Sequence, residues 1–408
     1  MRKINTQDFR VATRTTSREI NRRIALNLVR EHQPISRADL ARRMSVTRGT
    51  VSLLVGELID KGLIYEGATG EASRGRKPTF LHLKTQDRFV VAIDIRLSRT
   101  YLMLSDFGGQ QLALETFSTH SSPVRLIEDL AERVLRLIDI DGVKTRCEGI
   151  GLVVPGIVDQ QTGRILNAPT LGWRDVHVAG PLAAKTRLPV YVENAAKACA
   201  LAQMWAGSKG PAAPHSFAHI SVSDGVGVGV VINGELVRGH DNMAGEFGHV
   251  ALDIAGPPCL CGARGCWEAH VSNLATLARY FGRDLSKMMP RSSDSTMQSA
   301  FTIHDLIARA SSGDAGAISA IQATARYLGL GLAMVVNGLN PECVYIGGEI
   351  TEAWGLMEPT LRAALAERTL TEAAARTPIK PAEPAEHPRL RGASALVAAP
   401  LFAAPRIA

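Results

Sequence analysis

One pattern occurs twice in this chain, and it limits the possible folds more than any other feature. Val90-Val91-Ala92-Ile93-Asp94 is an apolar run closing on an acid; Tyr101 to Ser105 follows, and a Gly108-Gly109 turn leads to Leu112 to Phe117. Far downstream, Ala218 to Val222 leads to Asp224, then Val226 to Ile232, an Asn233-Gly234 turn, and Glu235 to Val237. Short apolar runs joined by Gly-Gly or Asn-Gly read as strands in hairpins. Between the copies lie a helical pattern, Pro123 to Ile138 with Ser122 as its cap, and a buried strand at Gly149 to Val154. Two copies of a three-strand unit, each followed by helices, predict an α/β body with two lobes and a cleft. Arg291 to Ser299 and the Pro-rich Thr377 to His387 read as loops, and the apolar Gly392 to Leu401 is expected to return to the core.

A different pattern precedes the body. Ile20 to Glu31 carries apolar residues at Ile20, Ile24, Leu26, Leu28 and Val29, the spacing of one helix face. After Gln33-Pro34, Ser36 followed three residues later by Asp39 is a capping-box-like start, with Asp for the usual Glu. A short turn, Met44-Ser45-Val46, leads to Thr47, which can cap a third helix running to about Lys61 before Gly62. Leu63 to Glu66 and Thr79 to Leu83 bracket a loop holding Arg74, Arg76 and Lys77. Paired helices and then a hairpin with a basic tip is the layout of a winged helix-turn-helix. On that layout Arg48, Thr50 and Ser52 lie on the first turns of the third helix with Thr47, where side chains reach base edges, and Gly49 allows close approach. Arg42 and Arg43 would hold phosphates, while Arg74, Arg76 and Lys77 would enter a narrow minor groove. A generic three-helix bundle with a charged surface is the competing reading.

Charge separates the two parts. The 408 residues carry a net charge of +7. Residues 1–90 hold 18 basic against 9 acidic residues, so the head is +9 and the rest of the chain −2. A basic head on a near-neutral body is the footprint of nucleic-acid binding; the plainer alternative is a solvated tail. The length predicts two or three domains, divided here into a head at 1–85 and a body at 86–408, with lobes at about 86–195 and 196–408. Met1 to Ile20 has no apolar signal-peptide core, and the longest apolar stretch, Leu328 to Val336, falls short of the roughly 20 residues of a membrane helix. A cytoplasmic location is the expectation.

Three of the six cysteines, Cys259, Cys261 and Cys266, fall within eight residues. Such thiols with one histidine form a closed, structural zinc site. His249 is the nearest upstream fourth ligand and His270 the alternative. Buried, unliganded cysteines are the competing reading, which leaves the two glycines between the thiols unexplained.

Taken together, these residues resemble the ROK family of bacterial repressors and sugar kinases. The head carries Ile35-Ser36-Arg37-Ala38-Asp39-Leu40-Ala41, Thr50-Val51-Ser52 and Arg74-Gly75-Arg76-Lys77-Pro78. The body carries Pro155-Gly156-Ile157-Val158-Asp159, Asn167-Ala168-Pro169, Gly172-Trp173, Glu193-Asn194, Gly245 to His249, the cysteine cluster with Glu268, Asn340-Pro341 and Gly347-Gly348. The resemblance covers nearly the whole chain. It implies a two-lobed, actin-like ATPase fold behind the winged helix-turn-helix, and a sugar pocket at Asn194, Glu246, His249 and Glu268. His249 would turn one ring nitrogen to zinc and the other to the sugar; support of the metal site alone is the alternative for Glu246 and Glu268.

Departures from the kinase pattern bear on function. The resemblance places a catalytic aspartate after Asn194, where this chain has Ala195, which offers no base. After Asp94, Ile95-Arg96-Leu97-Ser98 stands where kinases hold phosphate on glycine amides, and Asp224 intrudes on the second such loop. The expectation is a sugar-responsive DNA-binding regulator, a homodimer whose paired heads read duplex half-sites, and no enzyme. The alternatives are an active sugar kinase with an accessory head, or an effector-independent repressor controlled by a protein partner.

Overall fold

The computed structural model describes residues 13–69, 79–140, 142–206, 214–285, 301–382 and 387–403. The head runs α1 (Arg14–His32), β1 (Ile35–Ser36), α2 (Arg37–Met44), α3 (Arg48–Asp60), β2 (Ile64–Thr69) and β3 (Thr79–Leu83). Helix α1 starts earlier than its apolar spacing predicts, because Thr13 and Thr16 form a reciprocal cap, Thr16 N to Thr13 Oγ1 at 3.3 Å and Thr13 N to Thr16 Oγ1 at 3.2 Å. Ser36 caps α2 by accepting from Asp39 N at 3.1 Å, and Thr47 caps α3 by accepting from Thr50 N at 3.3 Å. Ala25, Leu26 and Val29 of α1 close on Leu40, Val51, Val55 and Leu58, and the wing strands add Ile64 and Leu81. The wing tip with Arg74, Arg76 and Lys77 lies outside the described residues.

The repeat read from the sequence appears as two sheets of the same order. In the first, β4 (Phe89–Ile95), β5 (Arg99–Asp106) and β6 (Gln111–Ser118) are antiparallel, and β7 (Cys147–Val154) and β11 (Val190–Asn194) extend β4 in parallel, giving β11-β7-β4-β5-β6. In the second, β12 (Phe217–Val222), β13 (Val226–Ile232) and β14 (Glu235–Leu236) are antiparallel, and β15 (Cys343–Gly347) and β16 (Ile379–Pro381) follow β12 in parallel, giving β14-β13-β12-β15-β16. A small sheet of β8 (Ile157–Asp159), β9 (Arg164–Ala168) and β10 (Trp173–His177) flanks the first lobe.

Helices α4 (Pro123–Ile138) and α5 (Ala179–Thr186) cover the first sheet. Ser122 occupies the cap position of α4 without a side-chain cap bond, and Pro123 starts the helix instead. Helix α6 (Ala195–Ala206) follows β11 and packs toward both sheets. The second lobe holds α7 (Trp267–Val271), α8 (Asn273–Tyr280), α9 (Ile303–Ser311), α10 (Ala315–Leu339), α11 (Trp354–Arg368) and α12 (Glu372–Ala375). At 25 residues, α10 is longer than its apolar run and matches a membrane span by length and composition, yet its Ile321, Leu328, Leu332 and Val336 are core of this lobe.

The last helix packs away from the lobe that precedes it in sequence. Helix α13 (Pro388–Phe402) returns to the first lobe, where Leu390, Ala393 and Leu396 pack on Ala92, Met103 and Val153, with Ala195 and Ala198 of α6 alongside. A helix apolar on several sides gives no sign in sequence order of which sheet will receive it.

Candidate functional site

A cavity opens between the lobes, and the four residues expected to hold a sugar all line it. Asn194 sits at the end of β11, where its Oδ1 accepts from Ala196 N (2.9 Å) and Lys197 N (3.2 Å) and its Nδ2 donates to Gly156 O (2.8 Å). Much of that amide is therefore spent on starting α6, leaving one N–H for a ligand. Glu246 stands on a short 3-10 turn, Glu246–His249, and burial pushes its carboxyl above the usual range, with Glu268 nearby adding to the rise. Glu268, on the first turn of α7, is 8% exposed and accepts from Val226 N at 2.8 Å. A Cβ on Gly225 would lie 2.6 Å from Glu268 Oε2, so glycine there admits the carboxylate. Two carboxylates, an amide and an imidazole around one cavity suit a polyol.

The cysteine cluster forms the wall behind this pocket. One donor atom from each of His249, Cys259, Cys261 and Cys266 lies within 4.8 Å of all the others. Cys259 Sγ is 3.8 Å from His249 Nδ1, and Cys261 Sγ is 3.7 Å from Cys266 Sγ. Bonds of 2.0–2.3 Å in a tetrahedron separate ligand atoms by about 3.3–3.8 Å, so this donor set fits a four-coordinate zinc ion. His249 Nε2 points the other way, 4.0 Å from Glu246 Oε2. His270 is not part of the set; it is buried and stacks on Tyr327 at 4.3 Å. Burial pushes the Cys259 thiol up.

In the head, Arg42, Arg43, Thr47, Arg48, Gly49 and Ser52 are exposed and Thr50 is half-buried. Thr47 and Thr50 hydroxyls bond each other at 2.9 Å, and Arg42 pairs with Asp39. A Cβ on Gly49 would meet only Thr47 Oγ1, at 3.9 Å, so its own fold does not demand glycine. Leu53, 67% exposed beside Ser52 on α3, was not singled out from the sequence. An apolar side chain on the outer face of that helix can meet a thymine methyl.

A match to the ROK family spans residues 90–399. The chain belongs to the ROK family. Its head matches the MarR family over residues 18–75. This ROK protein is similar to the xylose repressor of Bacillus spizizenii, 30% identical over 367 residues, covering 88% of this chain and 89% of the relative. A solved ROK family transcriptional regulator, a homolog of the E. coli MLC protein, superposes with a TM-score of 0.77 at 26% identity, covering 95% of this chain and 97% of that one. The fold is also that of a ROK glucokinase from Streptomyces griseus in complex with glucose and AMPPNP, with a TM-score of 0.64 at 23% identity, covering 75% of this chain and 98% of that one.

At the other end of the ROK cleft charged side chains pair with one another beside a second cavity, lined among others by Arg96, His219, Ser223, Glu349 and Arg389. Ala195, 6% exposed, takes the place after Asn194, and only a methyl group faces the cavity. Arg96, on the turn after β4, donates to Asp94 Oδ2 at 2.7 Å and to Glu349 Oε1 at 3.2 Å. Arg389, on the first turn of α13, donates to Ser223 Oγ at 2.6 Å and lies 3.8 Å from Asp94 Oδ1. Burial and the neighbouring Glu349 push the Asp224 carboxyl up. His219, 1% exposed at the base of this end, is held neutral by burial, its pKa lowered to about 4.

Sequence reasoning also missed a buried network beneath the sugar-side residues. Glu193, fully buried, accepts from Arg238 (3.2 Å) and Asn242 (3.2 Å). Lys197, 1% exposed, donates to the Asn242 carbonyl and to Asn242 Oδ1 at 3.2 Å. This ties α6 to the segment leading into Glu246. One signal was available: Lys197 is the only charged residue in the otherwise apolar Ala195-Ala196-Lys197-Ala198-Cys199-Ala200-Leu201-Ala202.

Proposed function

We propose that this ROK protein is a DNA-binding transcriptional regulator, a repressor of carbohydrate-metabolism genes released by a sugar bound in the cleft. The observation that carries the reading is Ala195: the cavity has acceptors for a polyol, and the position after Asn194, where the family resemblance puts the kinases' base, holds only a methyl group. Arg96 and its carboxylate partners fill the turn where a phosphate would need bare amides, which disfavours the kinase reading. Arg42, Arg43, Thr47, Arg48, Gly49, Thr50 and Ser52 form the duplex-reading surface, with Arg74, Arg76 and Lys77 on the wing. Zinc, held by His249, Cys259, Cys261 and Cys266, is structural, since four protein donors leave no open position. Paired heads of a homodimer would read half-sites about 34–36 Å apart or a multiple of that.

The test is fluorescence anisotropy on the full chain with a duplex selected from a randomised pool, titrated with D-xylose, D-glucose and N-acetyl-D-glucosamine. One of these sugars is expected to weaken duplex binding about tenfold or more, a coupling of about 1.4 kcal/mol. If no sugar changes duplex affinity or raises the melting temperature, control by a protein partner becomes the better reading. Sugar-dependent ATP hydrolysis would overturn the reading altogether.

A further inference from the structure

Helices α6 and α13 run side by side from the cleft to the head. At the cleft end, Asn194 starts α6 with its side-chain oxygen, and Arg389 at the start of α13 reaches across to Ser223 of the second lobe. At the far end, Trp205 of α6 meets Phe402 of α13 edge to face at 5.0 Å. The Arg30 guanidinium of α1 lies 4.4 Å from the Trp205 ring centre and 5.0 Å from that of Phe402. Asn27 of α1 donates to Phe402 O at 2.9 Å, and Arg23 of α1 donates to Ala403 O. These carbonyls close a helix whose last acceptors have no partner within it, and a cation beside them also suits the helix dipole. The head's first helix thus supplies the C-terminal cap of α13.

Between these ends the two helices touch through small residues. A methyl group on Gly392 would collide with the Ala198 carbonyl, and Ala393, Ala195 and Ala198 share one buried cluster. Ser394 Oγ of α13 also bonds Ser105 Oγ of the first sheet at 3.0 Å. Backbones in such close contact pass a displacement on rather than absorb it. At 15 residues and 1.5 Å per residue, α13 spans about 22 Å.

We infer that the α6–α13 pair is the link through which cleft occupancy acts on the DNA-reading head. Arg389 and Asn194 are its handles in the cleft, and Phe402 with Trp205 is its contact on α1. The inference rests on the regulator reading for its purpose but not for its mechanics. A ligand that draws Ser223 from Arg389, or takes the remaining N–H of Asn194, shifts the start of the pair, and α1 follows because it caps the other end.

The mechanical part is tested on the full chain without ligand, by hydrogen exchange. Arg389→Ala is expected to speed exchange of the α1 amides about fivefold or more, Arg389→Lys less than twofold. Asp224→Asn, in the same cavity but off both helices, should leave α1 unchanged. If Arg389→Ala does not fold, Phe402→Leu is read in reverse: exchange in Ser221 to Gly227 should rise. Unmoved α1 amides in Arg389→Ala, or an unmoved loop in Phe402→Leu, would overturn the link. The functional part uses Asn27→Ala and Phe402→Leu in the anisotropy assay with the same duplex and three sugars. The ratio of duplex Kd with and without sugar should fall toward 1 by about tenfold, with sugar Kd within about threefold of wild type. A ratio that stays at the wild-type value overturns the proposal. If wild type shows no sugar effect while exchange changes as expected, the regulator reading fails and the link stands.

Discussion

At one end of the cleft, Glu246, Glu268 and His249 present acceptors to the cavity with a thiol cluster behind them; at the other, Asp94, Arg96, Glu349 and Arg389 form ion pairs with one another. The first arrangement offers carboxylates and an imidazole that suit hydroxyls brought by a ligand. The second spends its charges on one another. On the proposed function the cleft has a binding half and a half whose charges are closed on one another, a division set by side chains rather than by fold.

The largest test of the binding half is removal of its wall. Cys266→Ser, or prolonged chelation, should lower the melting temperature by about 10 °C or more, a loss of several kcal/mol, because His249 and Glu268 then lose their anchor. Scanning calorimetry of the full chain checks it. Equal melting temperatures with and without chelator would mean that the thiols pack without a metal.

At the closed half, acid should be felt next. His219 has its folded pKa lowered to about 4, against 6.5 when unfolded, so below pH 6.5 the unfolded chain takes up a proton that the folded chain refuses. Stability is full above pH 6.5 and falls as pH drops toward 4, by about 3 kcal/mol in all. His270 and His387 are also lowered, chiefly by burial, and push the same way. His219→Gln should therefore flatten the melting temperature between pH 6.5 and 4.5 only in part; a profile identical to wild type would show that His219 is not held neutral.

A smaller change is expected when the binding half loses one acceptor. Glu246→Gln should weaken the sugar by about tenfold to a hundredfold, roughly 1–3 kcal/mol, while duplex affinity without sugar stays the same. Isothermal titration with D-xylose, D-glucose and N-acetyl-D-glucosamine reads the first, anisotropy the second. Unchanged sugar binding would leave Glu246 as support for His249 alone.

What the sequence disclosed, and what it hid, follows the same division. The repeated strands, the caps at Ser36 and Thr47 and the cysteine spacing are local patterns, and each led to an element or a donor set near its residues. The closed half is built across the chain: Arg96 pairs with Glu349, 253 residues away, and Arg389 with Asp94. Spacing says nothing about such pairs, so Arg96 read only as a glycine lost. The return of α13 to the first lobe was hidden likewise, since small apolar residues such as Ala393 and Ala395 suit either sheet. Lys197 alone could have been caught, as a charge inside an apolar helix.

Restoring the missing base makes the sharpest comparison, and its expected effect is the smallest. Ala195→Asp would return a carboxylate to the position after Asn194, where the family resemblance puts the proton acceptor of the kinases. A base adds about 10²–10⁴-fold only when a phosphoryl group is already held in line. Here Arg96 fills the turn after β4 and is itself bound by Asp94 and Glu349, so a nucleotide would have to break two ion pairs before its phosphates met an amide. The new carboxylate would also stand in the cavity with Asp224, Glu246 and Glu268 and repel an incoming anion. Sugar-dependent ATP hydrolysis in a coupled assay should therefore stay at background in Ala195→Asp, and in Ala195→Asp with Arg96→Gly. Turnover in the single variant would show that the second half of the cleft is open after all, one side chain short of a kinase. Turnover in the double variant alone would assign the closure to Arg96.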